Sequence, residues 1–294
     1  MTDSLISASA PDAGITLVAA ITTDLVREIQ SRNDLAPTAT AAVGRLSTAS
    51  VLFGSTLKGA ERITLQISGD GPIGSLTADA WRLDATTIGA RGYARNPHTE
   101  LPLNARGKFD VAGIVGSGYL QVTKSYSVGQ PHNGIVPLRS GEIAEDVAAF
   151  LVQSEQIPSI VALGVLANPQ GVQVAGGILA QVLPGASEAT LALLEERAQT
   201  MPAITTLIAG GATASEILRA VAGDGKLHEH PRVNVTFACF CTRNRVEIAL
   251  LTHGADDVRR MASERRETIA TCEFCKKNYT FTSDELIALA EAHQ

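Results

Sequence analysis

All four cysteines of this 294-residue chain fall in its last fifth, as Cys239-Phe240-Cys241 and Cys272-Glu273-Phe274-Cys275. Four thiolates complete a tetrahedral shell for Zn²⁺, so any fold the chain adopts must reconcile two distant pairs. C-x-x-C grips two corners of a tetrahedron routinely, and C-x-C gives a tighter bite. The stretch between them, 242–271, leaves room for a helical excursion. Iron–sulfur ligation is the alternative metal chemistry, but its known spacings differ; metal-free dithiols are the third reading. Most four-Cys zinc sites only staple a small domain. The C-x-C half argues for more, because a thiol one residue away is a fast partner once its neighbour is oxidised. A site that holds metal when reduced and forms disulfides when oxidised is a candidate switch.

The chain is long enough for two domains, one with a sizeable core. Its net charge of -6 argues against a protein that chiefly neutralises phosphates. No Lys or Arg precedes Arg27, so the charged start of a signal peptide is missing. No run approaches the roughly 18 apolar residues of a membrane span. These features lead to the expectation of a cytoplasmic protein, where cysteine clusters bind metal or do redox chemistry rather than form structural disulfides.

Residues 1–14 read as a small, polar tail. Gly14–Ile21 reads as a strand, and Ala36–Leu57 as a helix with Ala39, Val43, Leu46, Phe53 and Leu57 on one broad face. Arg62–Ser68 alternates as a strand, and Asp70-Gly71-Pro72 turns. Strand character recurs near 76–81, 118–125, 134–138, 160–165 and 172–183, with an amphipathic helix at 142–154. Many strands without regular βαβ alternation indicate an α+β fold. The expected parts are a β-rich core domain with flanking helices at 14–185, a helical linker at 186–231 and a small C-terminal four-Cys zinc domain at 232–294. In the linker, 187–200 and 214–222 read as helices, with Gly210-Gly211 and Gly223-Asp224-Gly225 as joints. The C-terminal segment carries nine basic and nine acidic residues and five aromatics, Phe237, Phe240, Phe274, Tyr279 and Phe281. A segment so short has a thin core and usually needs a staple. Thr282-Ser283-Asp284-Glu285 is a capping box opening a terminal helix.

Other motifs are weaker. Gly116-Ser117-Gly118 lacks the third glycine of a dinucleotide loop, and Lys124-Ser125 is preceded by Thr123 rather than glycine. His228, His230 and His253 read as surface or hinge residues, because the thiolate shell is already full. His98 and His132 lie in proline-adjacent loops with no evident partner. Arg259-Arg260 and Arg265-Arg266 alternate with Asp256, Asp257, Glu264 and Glu267, the pattern of a solvated helix. No catalytic constellation is assigned.

The sequence resembles the heat shock protein 33 family of redox-regulated holdase chaperones over nearly its whole length. The carriers are the two cysteine motifs, with Thr242-Arg243-Asn244-Arg245-Val246 after the first and Tyr279-Thr280-Phe281 after the second. Further carriers are Ser68-Gly69-Asp70-Gly71-Pro72, Gly92-Tyr93 with Asn96-Pro97, Ser140-Gly141-Glu142-Ile143-Ala144, Ser154-Glu155-Gln156 and Ala175-Gly176-Gly177 with Pro184-Gly185-Ala186. Thr242 departs from the serine expected in many relatives, and the Ala/Ser-rich N-terminus is extended. The resemblance implies an α+β core, a metastable linker and a zinc domain. It implies one Zn²⁺ per reduced chain on Cys239, Cys241, Cys272 and Cys275. It also implies an ATP-independent, non-enzymatic chaperone that is inactive in that state. Oxidation is then expected to release zinc, form Cys239–Cys241 and Cys272–Cys275, unfold the linker and favour homodimers. These would hold unfolding or oxidatively damaged clients for hand-off to ATP-dependent chaperones, without nucleic acid or membrane partners. Local pairing also follows from loop length, unless the fold holds the two pairs together; the C-x-C ring is small and strained.

Two readings compete. A zinc-ribbon nucleic-acid binder calls for a basic surface, which the acidic balance disfavours. A thiol oxidoreductase using Cys272 and Cys275 calls for a C-x-x-C at a helix start in a βαβ context. That reading also leaves the other cysteine pair unexplained.

Overall fold

The computed structural model describes residues 2–56, 60–168, 170–223 and 226–292. Leu57 of the expected helical face and Asp224-Gly225 of the expected joint lie outside the described residues. The chain forms two compact units, Met1–Ala238 and Cys239–Gln294.

The first unit is built on one eleven-stranded sheet. It opens with hairpin strands β1 (Ser4–Ala10) and β2 (Ile15–Ile21), then helices α1 (Thr23–Asn33) and α2 (Pro37–Thr56). A meander follows, β3 (Ala60–Gly69), β4 (Ser75–Asp84) and β5 (Thr87–Ala94). Next come α3 (Val111–Val115), β6 (Gly118–Tyr126), β7 (His132–Pro137), α4 (Ala144–Gln153), β8 (Ser159–Asn168) and β9 (Gly171–Val182). Helices α5 (Glu188–Thr200), α6 (Ile204–Ala209) and α7 (Ala214–Ala222) precede β10 (His228–Glu229) and β11 (Val233–Phe237). The strand order is β7-β6-β3-β4-β5-β11-β1-β2-β9-β8, with β10 also on β1.

The expected α+β class is what the chain adopts. The tail reading of 1–14 is corrected: β1 is an interior strand, paired along its length with β2 from Ser4↔Ile21 to Ala10↔Ile15. Its small residues suit that place, because both faces are covered. Leu5 packs into one core, while Ile6, Ala8 and Ala10 join another. The start of the C-terminal part at 232 is corrected too. Val233–Phe237 runs parallel to β5 and antiparallel to β1, so it belongs to the large sheet.

The larger core lies between the sheet and α2. This helix is buried nearly all round rather than along one stripe, with Ala39, Ala42, Val43, Leu46, Leu52 and Phe53 at 0–3% exposure. Two of its buried hydroxyls find local acceptors, Thr48 in the Gly44 carbonyl (2.8 Å) and Ser50 in the Ser47 carbonyl (2.7 Å). Gly44 is required by close approach, since a Cβ there would stand 2.8 Å from both Val26 and Val165. The second core covers the other face of β1, β2 and β9 with α5, α6 and α7. Ile15, Leu17, Ile178 and Ala180 meet Ile204, Ile208, Ile217, Leu218 and Val221. Each large side chain so buried contributes roughly 1.5–3 kcal/mol. The continuous apolar run of β2 therefore reflects a strand covered on both faces.

The quoted glycine- and acid-rich motifs are scaffold. Asp70 Oδ1 accepts from the Ser117 N–H (2.7 Å), and Asn96 Nδ2 donates to the Pro72 carbonyl (2.7 Å). Asp146, fully buried, accepts from the backbone N–H groups of Arg139, Ser140, Gly141 and Ile143 (2.7–3.3 Å). It thereby holds Ile143 in a left-handed conformation (φ 75°) that a β-branched residue rarely adopts. Glu155 pairs with Lys124 at 2.8 Å. Among the described residues no helix is long and apolar enough to cross a membrane.

The second unit packs α8 (Arg243–Leu251), α9 (Ala255–Glu264) and α10 (Ser283–Glu291) around a hairpin of β12 (Glu267–Thr271) and β13 (Asn278–Thr282). Its core is thin: Val258, Ala262, Tyr279, Phe281, Leu286 and Ala290. The capping box at α10 forms as expected. The Thr282 side chain accepts from the Glu285 N–H, and Glu285 accepts from the Thr282 N–H. On α9, Arg259–Asp256 (2.8 Å) and Arg260–Asp257 (2.7 Å) make the solvated charged surface.

Candidate metal centre

Cys239 and Cys241 lie in the extended stretch before α8. Thr242 then caps α8, its hydroxyl accepting from the Arg245 N–H. Departure from serine thus keeps the cap, because either hydroxyl serves. Cys272 and Cys275 occupy the turn joining β12 to β13. That turn is closed by Lys276 N–H to the Cys272 carbonyl (2.8 Å) and Cys272 N–H to the Lys277 carbonyl (3.0 Å). Lys276 takes a left-handed φ of 57° to allow it.

These two segments bring all four Sγ atoms within 4.8 Å of one another. Cys239 and Cys272 stand 3.9 Å apart, Cys241 and Cys275 3.3 Å. Thiolates at about 2.3 Å from a tetrahedral Zn²⁺ are about 3.8 Å apart, so the donor set fits such an ion. Among the described residues, no other cluster of Cys, His, Asp or Glu side chains is close enough to share a metal. His228, His230 and His253 are exposed, outside the thiol cluster.

The cluster's own electrostatics favour a cation. Burial raises the Cys241 thiol, but hydrogen bonds from the Tyr279 hydroxyl and the neighbouring thiols outweigh it and bring it down to about 7. Burial and the other three cysteines push Cys275 up to about 12. One thiolate thus suppresses the next, and a bound divalent cation is what lets all four ionise together.

In the sequence Tyr279 stands out as one of five aromatics of the C-terminal segment and as part of the Tyr279-Thr280-Phe281 motif, without a role. Its hydroxyl lies 3.0 Å from the Cys241 carbonyl oxygen and 3.3 Å from Cys241 Sγ. The alternation Tyr279-Thr280-Phe281 marks Tyr279 as inward-facing, but nothing in the spacing names its partner. Of the other aromatics, Phe281 is buried beneath Arg243 (4.3 Å) and Phe240 lies beneath Arg245 (4.4 Å). Phe237 belongs to the first unit, under Arg32 (4.6 Å). The C-x-x-C sits in a β-hairpin turn and not at a helix start, so the context required of a thiol oxidoreductase is missing.

A family model described as "Hsp33 protein" matches residues 3–282. The chain belongs to the Hsp33 family. Hsp33 relatives align with nearly all of it. One is a 33 kDa chaperonin of Acaryochloris marina, 45% identical and covering 97% of this chain and 96% of its own length. A 33 kDa chaperonin of Acetivibrio thermocellus is 38% identical, over 99% and 98%. The crystal structure of a 33 kDa chaperonin (heat shock protein 33 homolog) from Thermotoga maritima superposes with a TM-score of 0.88. It is 32% identical and covers 98% of both chains. That similarity spans both units of the chain.

Proposed function

We propose that this chain is a redox-regulated, ATP-independent holdase chaperone of the cytoplasm, with its switch at Cys239, Cys241, Cys272 and Cys275. The observation that carries the reading is the gathering of four thiols from two sequence-distant dithiols into one metal-sized cluster. The 33 kDa chaperonin names of the relatives support the chaperone part.

When bound, Zn²⁺ supplies a crosslink between the two dithiols and neutralises their charge. The four thiolates are then held apart from oxidants by coordination. A peroxide oxidant takes two electrons from each dithiol. Two thiols give one disulfide, and the peroxide oxygens leave as water. Disulfides are poor ligands, so the crosslink is lost. Cys239–Cys241 and Cys272–Cys275 are the proposed products, because each closes within one segment once the segments separate.

The functional parts proposed are the core, the linker helices at 186–231 and the cysteine region. Chain continuity links them: β11 ends two residues before Cys239. Loosening of that strand and of α5–α7 would bare Ile15, Leu17, Ile178 and their neighbours, the apolar face the linker covers. Such a face binds non-native proteins and a second copy of the chain, giving an oxidised homodimer that holds clients for later transfer to ATP-dependent chaperones. No residue is assigned a catalytic role.

Light scattering of a thermally aggregating client tests the reading. Peroxide-oxidised protein should suppress aggregation near stoichiometric ratio, and reduced, zinc-loaded protein should not. Equal behaviour of the two forms would sink the redox switch.

A further inference from the structure

Strand β8 ends the large sheet, so one side of its backbone is unpaired. Which residues face outward follows from β9. Ala175 turns away from β8: its carbonyl accepts from the Thr22 N–H (2.9 Å), and its N–H donates to Thr23 Oγ1 (3.0 Å). Val182 N–H instead donates to Pro158, on the β8 side. Alternation then pairs Gly176, Ile178 and Ala180 with Gly164, Ala162 and Ile160. The N–H and C=O groups of Val161, Leu163 and Val165 point outward, and no described strand takes them up.

Proteins usually protect such an edge with charge or proline. The other edge, β7, carries His132 and ends at Pro137. β8 reads Ser-Ile-Val-Ala-Leu-Gly-Val-Leu-Ala-Asn, with neither charge nor proline. Alongside it runs a groove of about 840 Å³. It follows β8 from Ala162 to Asn168, a length of about 20 Å at ~3.3 Å per residue. Its opposite walls include Leu103, Phe109, Met201 and Ile204. Gly164 sets the depth of one wall, because a Cβ there would meet Thr205 of α6 at 2.7 Å.

Three charged side chains line the groove: Arg45, Glu100 and Lys108. Arg45 is engaged by Glu142 at 2.5 Å. Glu100 accepts from the Thr38 N–H (2.8 Å) and hydroxyl (2.6 Å) at the start of α2. Lys108 has no ion-pair partner among the described residues, so it is the cation of the groove that can meet an incoming carboxylate, while the Glu100 oxygens are engaged by Thr38.

We propose that this groove is a strand-addition site for non-native polypeptide. Its occupant is an extended apolar segment with an acidic residue beside it. The segment's backbone pairs with Val161, Leu163 and Val165, alternate side chains enter the groove, and the acidic residue meets Lys108. This deepens the reading of the chain as a binder of unfolding proteins and rests on it for the identity of the partner. Met201–Thr205 belong to the linker, so oxidation widens the groove and strengthens the interaction.

The probe is a fluorescein-labelled peptide of alternating Val and Thr ending in Glu, followed by anisotropy with reduced and with oxidised full-length protein. Wild type is expected to bind in both states, more tightly when oxidised. Leu163→Pro removes an outward N–H without touching the β9 ladder, a change edge strands accept, and should weaken binding at least tenfold. Lys108→Glu, which leaves the strand intact, should weaken the Glu-ended peptide and favour a Lys-ended one. Absence of binding by wild type, or wild-type affinity in both variants, overturns the site. So does a β8-mediated dimer that excludes peptide, since the occupant is then a second copy. Client aggregation measured on the same samples separates the two readings. Peptide bound at β8 by a protein that never suppresses aggregation leaves the groove standing and removes the chaperone function.

Discussion

The Tyr279 hydroxyl reaches across 38 residues of sequence to Cys241, 3.3 Å from its Sγ. It holds one of the four thiols near its thiolate form, while burial and the neighbouring sulfurs push Cys275 up to about 12. In reduced, metal-free protein Cys241 should therefore be alkylated first. Its rate should rise as pH climbs through about 7, where the folded thiol loses its proton. Tyr279→Phe removes the donor, returns Cys241 toward the ordinary thiol range and slows its alkylation at pH 7 by about tenfold. Iodoacetamide labelling read by peptide mass spectrometry checks this; Cys275 reacting first would contradict it.

Metal analysis of carefully reduced protein should give one Zn²⁺ per chain. Structural zinc sites contribute apparent folding energies of about 10–16 kcal/mol. Loss of one ligand in four, as in Cys272→Ser, then corresponds to roughly 3 kcal/mol, a ~100-fold drop in affinity by chelator competition. A visible cluster absorbance, or metal-free reduced protein, would rule the assignment out.

Oxidation should loosen the second unit rather than lock it. Disulfides closing three- and four-residue loops contribute only about 1.5–2 kcal/mol each in the chain-entropy account. Neither spans β12 and the segment before α8. The thin core around Phe281 and Leu286 cannot make up the difference. Hydrogen exchange should show protection lost across 239–292 and in the linker helices, and peptide mapping should find Cys239–Cys241 and Cys272–Cys275. The close approaches in the folded cluster are Cys239 to Cys272 and Cys241 to Cys275. Dominance of those cross-pairs would show that oxidation outruns separation of the segments.

Asp3 is 4% exposed, and burial raises its carboxyl to about 6, against the N–H donors of Leu25 and Asp24. A folded value above the unfolded one means that the folded state holds the proton more tightly. Its contribution is therefore most favourable below about 4 and is lost as pH rises through about 6. The whole effect is roughly 2–3 kcal/mol. Asp3→Asn should abolish that part of the pH dependence, so the stability difference between variant and wild type should change between pH 5 and pH 7 in urea titrations.

Asp146→Ala leaves four backbone donors at Arg139, Ser140, Gly141 and Ile143 without their acceptor. Unsatisfied buried donors cost about 1–3 kcal/mol each before relaxation. A net loss of about 3–5 kcal/mol is expected, together with release of the strained Ile143 turn. The urea midpoint of reduced protein measures it.

Much of this was legible in the residues. The four thiols announce their cluster because soft donors at those spacings have few other uses. Ile63, Leu65 and Ile67 alternate because β3 has one buried face, and Thr282 with Glu285 spells its cap outright. β1 was not legible. Ser-Leu-Ile-Ser-Ala-Ser-Ala shows no strong period, because its neighbours on both faces need small side chains. β11 hides for a different reason. It is five residues long with one buried side chain, Val235, and tertiary pairing places it. The broad face assigned to α2 understated its burial, since short residues all round let the helix sink into the sheet.

Strand β11 also sets the order in which the molecule can be made. It fills the place between β5 and β1, yet it is the last strand of the sheet to leave the ribosome. Until residue 237 emerges, the nascent chain can complete two partial sheets but cannot join them. The open edges of β1 and β5 wait through most of synthesis, which at about 5–20 residues per second lasts on the order of 10–50 s. The sheet closes only as the first cysteine pair follows it out, so the seam of the fold is sealed just as the chain begins to supply its thiols.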